Sequence, residues 1–222
     1  MKVAISWSGG KDSCLALHRA LAQGHEVAYL LTMISRKFHR SGAHGVEARV
    51  MTAQAEALGI PMVQPLFNRD TYETKFKATL ARFKEQGVMG VVTGDLYLEE
   101  MRAWGDRVCR EMDVTPLRPL WEQDLEGLYS EFLAAGFEAV VLSADASLMG
   151  EGWVGRRLDA SFIDDLKALS GVDLMGERGE YHTLVVDGPL FHKRLEIQET
   201  GAVLRENRWF LDIRRYALKD KR

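Results

Sequence analysis

The sequence predicts an α/β fold: a doubly wound, mostly parallel five-stranded sheet, followed by a smaller α+β subdomain. Two observations predict it. Over the first two thirds of the chain short β-branched runs alternate with helical patterns, the signature of βαβ units and of a parallel sheet covered on both faces. Past Ala144 the pattern changes: glycines crowd in at positions 150, 152, 155, 171, 176 and 179, and one helix is followed by several strand-like runs. A boundary is therefore expected near residue 145, giving domains 1–145 and 146–222.

The expected strands of the sheet are Lys2 to Trp7, Glu26 to Thr32, Met62 to Phe67, Val88 to Thr93 and Glu138 to Ser143. Between them, Tyr72, Phe76, Leu80 and Phe83 recur at spacings of three and four, as do Leu125, Leu128, Tyr129, Phe132 and Leu133, so each set lines one helical face. These aromatics read as core. Asp70 followed by Glu73 reads as a capping box opening the first of these helices. In the second domain a helix is expected near Ser161 to Leu169. Strands follow at Thr183 to Asp187, Arg194 to Glu199 and Arg208 to Ile213, the last with Trp209, Leu211 and Ile213 on one face.

With 222 residues, 46% of them hydrophobic, the chain can bury a proper core. Two cysteines, Cys14 and Cys109, form no CxxC pair, which argues against a disulfide framework or zinc ribbon and points to a reducing compartment, the cytoplasm. The apolar start is too short for a signal peptide, and no run approaches the roughly 18 apolar residues of a membrane span. No membrane partner is expected. Lys and Arg total 29 against 32 Asp and Glu, a net charge of −3 that disfavours broad nucleic-acid binding. The basic run from Arg205 to Arg222 is expected to be a solvated tail.

The chemistry concentrates in Ser8-Gly9-Gly10-Lys11-Asp12-Ser13, directly after the first strand and opening a helix through Leu15, Leu17, His18 and Leu21. Adjacent glycines let backbone N–H groups approach an anion, the helix N-terminus adds partial positive charge, and Ser8 and Ser13 add hydroxyl donors. Lys11 contributes a full charge. Asp12 would repel phosphate directly, so its sensible task is to hold a bridging magnesium ion. The spacing is neither a Walker A loop nor GxGxxG.

This loop resembles the SGGKDS loop of the ATP pyrophosphatases of the adenine nucleotide alpha hydrolase superfamily. A second signature, Gly176-Glu177-Arg178-Gly179-Glu180-Tyr181-His182-Thr183 followed by Asp187-Gly188-Pro189-Leu190-Phe191, resembles the diphthine–ammonia ligase family. His44-Gly45, the run Gln54 to Pro61, Gly94-Asp95-Leu96 with Arg102, and the Gly155 to Asp159 segment after Trp153 fit the same family, so the resemblance spans nearly the whole chain. It implies ATP and magnesium as cofactors, ammonium as a substrate, and a carboxylate acceptor. That acceptor would be a protein or small molecule, diphthine on elongation factor 2 where diphthamide is made. Adenylation of the carboxylate would release pyrophosphate, and ammonia would displace AMP.

The resemblance further implies roles. Ser8 to Ser13, Gly94 and Asp95 would bind the nucleotide, and Lys11, Asp12, Glu177 and Glu180 would be catalytic. Arg102, Glu177, Glu180, Tyr181 and His182 would meet the acceptor or ammonium. Asp95 closes a strand at its carboxyl end, the side where open α/β sheets bind ligands. Asp106 stands where the family more often has Glu. His44 and Glu47 are placed in the loop after the second strand, on the same face. Cys14 falls in the apolar stripe of its helix and is expected to be buried. Trp104, Trp153 and Tyr97 are candidates for an aromatic box around a trimethylammonium group, and Gly150 to Gly155 for a mobile lid. Two other readings stay open, a tRNA-thiolation enzyme using the same loop and a nucleotide sensor without catalysis; the sequence is also compatible with a homodimer.

Overall fold

The apolar run Lys2–Ser6 forms β1, and everything in the first half of the chain is arranged about it. In this computed structural model, which describes residues 1–42 and 44–221, a five-stranded sheet runs in the order β4-β2-β1-β6-β7 with every pairing parallel. Its other strands are β2 (Glu26–Leu31), β4 (Met62–Val63), β6 (Gly90–Val92) and β7 (Thr115–Leu117); β3 (Ile34–Ser35) and β5 (Leu66–Phe67) pair separately. Four helices alternate with these strands: α1 (Lys11–Ala22), α2 (Ala48–Leu58), α3 (Tyr72–Glu85) and α4 (Glu99–Met112). Strand order reverses between β1 and β6, so the crevice at the carboxyl ends of those two strands is the switch point where such sheets take ligands.

Two expectations about this sheet are corrected. The expected strand Met62 to Phe67 is split in two, because Pro65 lacks an N–H to donate and restricts the residue before it. Glu138 to Ser143 is not the fifth parallel strand; that place belongs to Thr115–Leu117, whose Pro116 sits on an edge strand, where proline is tolerated. The capping box does not form either. Thr71 is the N-cap of α3 and makes no side-chain cap bond. Its hydroxyl instead exchanges hydrogen bonds with the Asn68 N–H (2.8 Å) and carbonyl (3.1 Å). Glu73 is drawn away to Arg107, Lys77 and the Trp104 indole, and the Arg107 guanidinium, first among these, holds its carboxyl far below the usual range.

Phe76, Leu80 and Phe83 of α3 are buried against Ala4, Leu31, Val91, Val108 and Cys109, as the periodic spacing predicts. The chain divides into two compact units. The first comprises Met1–Ser8, Asp12–Glu56 and Ile60–Glu122; the second comprises Gly9–Lys11, Ala57–Gly59 and Gln123–Arg222. The second unit thus begins well before residue 146, because β8 (Glu138–Asp145) pairs antiparallel with β9 (Tyr181–Asp187) rather than joining the parallel sheet. Its four-stranded antiparallel sheet has the order β10-β11-β8-β9, with β10 (Lys193–Arg205) and β11 (Arg208–Asp220) forming a long hairpin. Glu206 (φ 46°) and Asn207 (φ 62°) close it in the left-handed pair that a two-residue hairpin turn requires.

Helices α5 (Leu125–Ala134) and α6 (Ala160–Lys167) are N-capped by Asp124 and Asp159, which accept from the Gly127 and Phe162 N–H groups. Leu128, Tyr129 and Phe132 turn inward, and the Phe132 ring stacks on Phe137 at 5.1 Å between centroids. Phe132→Ala is expected to cost about 3–5 kcal/mol, a large fraction of domain stability; a melting temperature within a degree or so of the parent would contradict this.

The basic run is solvated, with Arg214, Arg215 and Lys219 each more than half exposed, but it is a strand and not a tail. Residues 208–220 are strand β11, and three of its cations lie beside acidic neighbours: Arg214 pairs with Asp212, Arg215 with Glu199 and Lys219 with Glu196, while Lys221 beyond it pairs with Asp187. Arg222 lies outside the described residues. The Gly150 to Gly155 segment is tied down at its end, where the Gly155 N–H donates to the Val141 carbonyl and the Val141 N–H to the Arg156 carbonyl, both at 2.8 Å. Among the described residues no helix is long and apolar enough to cross a membrane.

Candidate active site

In the first unit the candidate residues stand at the carboxyl ends of β1, β6 and β7. Ser8 follows β1, and its hydroxyl donates to that of the buried Ser13 at 3.1 Å. Gly94 follows β6 and lies so close to the start of α1 that a Cβ there would stand 2.8 Å from the Asp12 carbonyl carbon and 3.0 Å from the Ser13 nitrogen. The strand end therefore needs glycine to reach the helix N-terminus. Gly94→Ala is expected to destabilise the unit by about 1–3 kcal/mol, because backbone rather than a flexible side chain must move; unchanged melting and nucleotide binding would disprove the need for that approach.

Asp95 is next to Gly94. Its Oδ2 accepts from the Thr93 hydroxyl at 2.7 Å and lies 3.4 Å from Arg118 Nε. Arg118 also donates to Asp106 Oδ1 at 2.8 Å and to the Arg102 carbonyl at 3.2 Å. Arg102 pairs with Glu99 at 3.2 Å and Asp106 at 3.7 Å and lies over the Trp121 ring. The Asp106 carboxylate, in doubt from the sequence, is thus a structural anchor for two arginines.

In the second unit the middle of the glycine loop meets the downstream motif. The Lys11 N–H donates to the Thr183 hydroxyl at 3.0 Å, and the Val185 N–H donates to the Gly9 carbonyl at 2.9 Å. Lys11 itself is 2% exposed; its ammonium donates to the Met175 carbonyl and lies 5.0 Å from the centre of the Tyr181 ring. The turn that receives it, residues 173–180, is folded on its own carboxylates. Asp173 Oδ1 accepts from the N–H groups of Met175 (2.8 Å) and Glu177 (3.3 Å), and Glu180 Oε1 accepts from the Asp173 N–H (3.1 Å). Gly176 has φ +64°, and a Cβ there would sit 2.7 Å from the Tyr181 carbonyl oxygen, so the turn admits no side chain at that point.

Glu180 is 5% exposed, and its Oε2 is buried with no hydrogen-bond partner among the described residues. A buried carboxylate oxygen without a donor is expensive unless a ligand supplies one. Arg208 donates to the Gly179 carbonyl and to the Ser143 hydroxyl, so the far side of the turn is braced from β11.

The model of the diphthamide synthase N-terminal domain matches residues 1–116, and that of the diphthamide synthase C-terminal domain matches residues 124–219. The chain belongs to the diphthamide synthase family. The two matches meet where the compact units divide, between residues 116 and 124. Relatives include the diphthine–ammonia ligases of Rattus norvegicus (27% identical, 92% of this chain, 85% of that protein) and Homo sapiens (26%, 92% and 85%). That of Schizosaccharomyces pombe is 28% identical over 91% of this chain but 37% of its own, longer length. A crystal structure of a predicted subunit of tRNA methyltransferase from Methanocaldococcus jannaschii aligns with 85% of this chain at 17% identity and a TM-score of 0.46.

The remaining candidates for a role in this diphthamide synthase family member are distributed as follows. Tyr181 is 1% exposed, its hydroxyl donating to the Leu174 carbonyl at 2.6 Å, so it packs the turn rather than presenting a free face. His182 is half-buried in β9, and Glu177 half-buried in the turn. Glu47 is engaged by Arg40 (2.7 Å) and Arg49 (2.5 Å), which knit the loop that carries His44. Cys14 is fully buried, and burial, with Asp12 second, pushes its thiol up. Trp104 packs on Tyr72 and Phe76, whereas Trp153 packs on Phe162 beneath Arg156. Each tryptophan is held within its own unit's aromatic cluster.

Sequence reasoning missed Arg118, Asp173 and Arg208. Arg118 is the first residue after a strand that was itself missed; recognising Thr115–Leu117 would have placed it beside Asp95.

Proposed function

We propose that this chain is an ATP-dependent, AMP-forming ligase that amidates a carboxylate with ammonia, with diphthine on elongation factor 2 as the acceptor. The observation that carries the reading is the union of Lys11 with the turn bearing Glu177 and Glu180. It ties the phosphate-type loop to the acidic motif.

In the proposed reaction the acceptor carboxylate attacks the α-phosphorus, the bond to pyrophosphate breaks, and an acyl adenylate forms. Ammonia then attacks the acyl carbon and AMP leaves. Negative charge gathers on the departing pyrophosphate, where the amides of Gly9 and Gly10, the Ser8 and Ser13 hydroxyls and Lys11 would act; one preorganised donor of this kind is worth about 3–4 kcal/mol. Asp95 and Arg102 would fix the nucleotide or the acceptor carboxylate. The unpartnered Oε2 of Glu180 suits an ammonium N–H donor, and Glu177, more exposed, would accept the proton lost as ammonium becomes a nucleophile.

Among the described residues no cluster of three or more His, Cys, Asp or Glu side chains could hold a metal ion. Magnesium takes one or two carboxylates and completes its shell with phosphate oxygens and water. Asp12 would be its protein ligand, and the ion would neutralise charge on the phosphates. The thiolation alternative needs an accessible thiolate, whereas Cys14 and Cys109 are 0% and 5% exposed and burial pushes both thiols up.

The test is direct. Purified protein with magnesium-ATP, ammonium and diphthine-bearing elongation factor should yield AMP, pyrophosphate and an amide in equal amounts. ADP as product, or binding without turnover, would reject the ligase.

A further inference from the structure

Arg118 carries a task that neither the sequence motifs nor the proposed chemistry assigns. Its side chain is 11% exposed, and it occupies the position where β7 ends beside β6: Val92 pairs with Leu117, and the Thr93 N–H donates to the Leu117 carbonyl at 3.0 Å. From there the guanidinium donates hydrogen bonds to Asp106 with one terminal nitrogen and to the Arg102 carbonyl with the other, while Nε faces Asp95 Oδ2 at 3.4 Å as an ion pair without a hydrogen bond. Room for it comes from Gly105 of α4, where a Cβ would stand 2.9 Å from Nη2. One planar cation, with two hydrogen bonds into α4 and its charge beside Asp95, thus links a strand end to a helix, a geometry lysine cannot copy.

The distribution of these contacts on Asp95 is one-sided. The Thr93 hydroxyl donates to Oδ2 at 2.7 Å, and the Arg118 charge stands nearest the same oxygen at 3.4 Å. Here one oxygen is pinned, and Asp95 follows the glycine that packs on the backbone of Asp12 and Ser13.

We propose that Arg118 is the positioning residue for Asp95, fixing Oδ2 so that Oδ1 meets the nucleotide, either a hydroxyl or a water bound to its magnesium. The inference rests on the reading that the Ser8 to Ser13 loop binds ATP. Arg118 touches no substrate itself; it acts through Asp95 and, by its bond to the Arg102 carbonyl, sets the start of α4 as well.

The experiment measures ATP affinity by calorimetry, AMP formation and melting temperature for the parent, Arg118→Met, Asp95→Asn and the double variant. Each single change is expected to weaken ATP binding about tenfold, and the double no more than either alone, because the two residues act in series. Independent, multiplying losses would overturn the proposal. So would a lowered melting temperature in Arg118→Met with ATP affinity unchanged, which is the signature of a strut. Should Arg118→Met not fold, Gly105→Ala displaces the guanidinium by a methyl group and should reproduce the loss of affinity; normal affinity there also overturns it. A parent that binds no ATP removes the ligase reading and this inference together, whereas a parent that binds ATP and a double variant with multiplied losses removes the inference alone.

Discussion

Lys11→Met is expected to lower AMP formation by about 100- to 1,000-fold, the loss typical of removing one preorganised charge from a transition state. Methionine keeps the unbranched length that packs over Tyr181 and deletes the ammonium that donates to the Met175 carbonyl. Melting should therefore change less than activity. Lys11→Arg should not rescue turnover, because a position 2% exposed has no space for a guanidinium. Single-turnover AMP release separates these outcomes, and a Lys11→Met protein that retains a tenth or more of the parent rate would remove Lys11 from the reaction.

Glu180→Gln should abolish amide formation by a comparable factor while ATP binding survives. The neutral isostere can still accept the Asp173 N–H at Oε1, so the turn is kept. At the other position an amide nitrogen replaces the oxygen now buried without a donor, and an ammonium ion would face a like-polarity group there. Adenylation measured with acceptor but without ammonium is expected to persist, and amide measured with ammonium to vanish. Loss of ATP binding in Glu180→Gln would reverse this division of labour between the loop and the turn.

The sheet and its phosphate-type loop were legible because both are local. β1 and α1 announce themselves by an apolar run, two glycines and a periodic stripe, and Phe76, Leu80 and Phe83 bury the face their spacing predicts. What the sequence hid was pairing at long range. Glu138 to Ser143 reads as a strand but carries no mark of its partner, and only the antiparallel register with Tyr181–Asp187 reveals its sheet. The three-residue β7 contains proline and fell below any pattern, and Arg118 was lost with it. The basic terminal run reads as a tail because its charges mask the strand: it pairs with β10 through the turn at Glu206 and Asn207, and its charged side chains stay on the exposed face. Glu177 and Glu180 were visible as a motif, but not that one carboxylate would be half-buried and the other almost sealed.

The second unit is discontinuous in the gene order, since residues 9–11 and 57–59 are counted with residues 123–222. The Gly9 carbonyl serves the Val185 N–H, and the Ala57 carbonyl serves that of His192 at 2.7 Å. A chimera joined at a single crossover near residue 122 would exchange most of that unit while leaving those two short pieces behind from the other parent. Recombinants between family members should therefore survive best when both pieces travel with the carboxyl-terminal half, so that inheritance follows packing and not the linear order of codons.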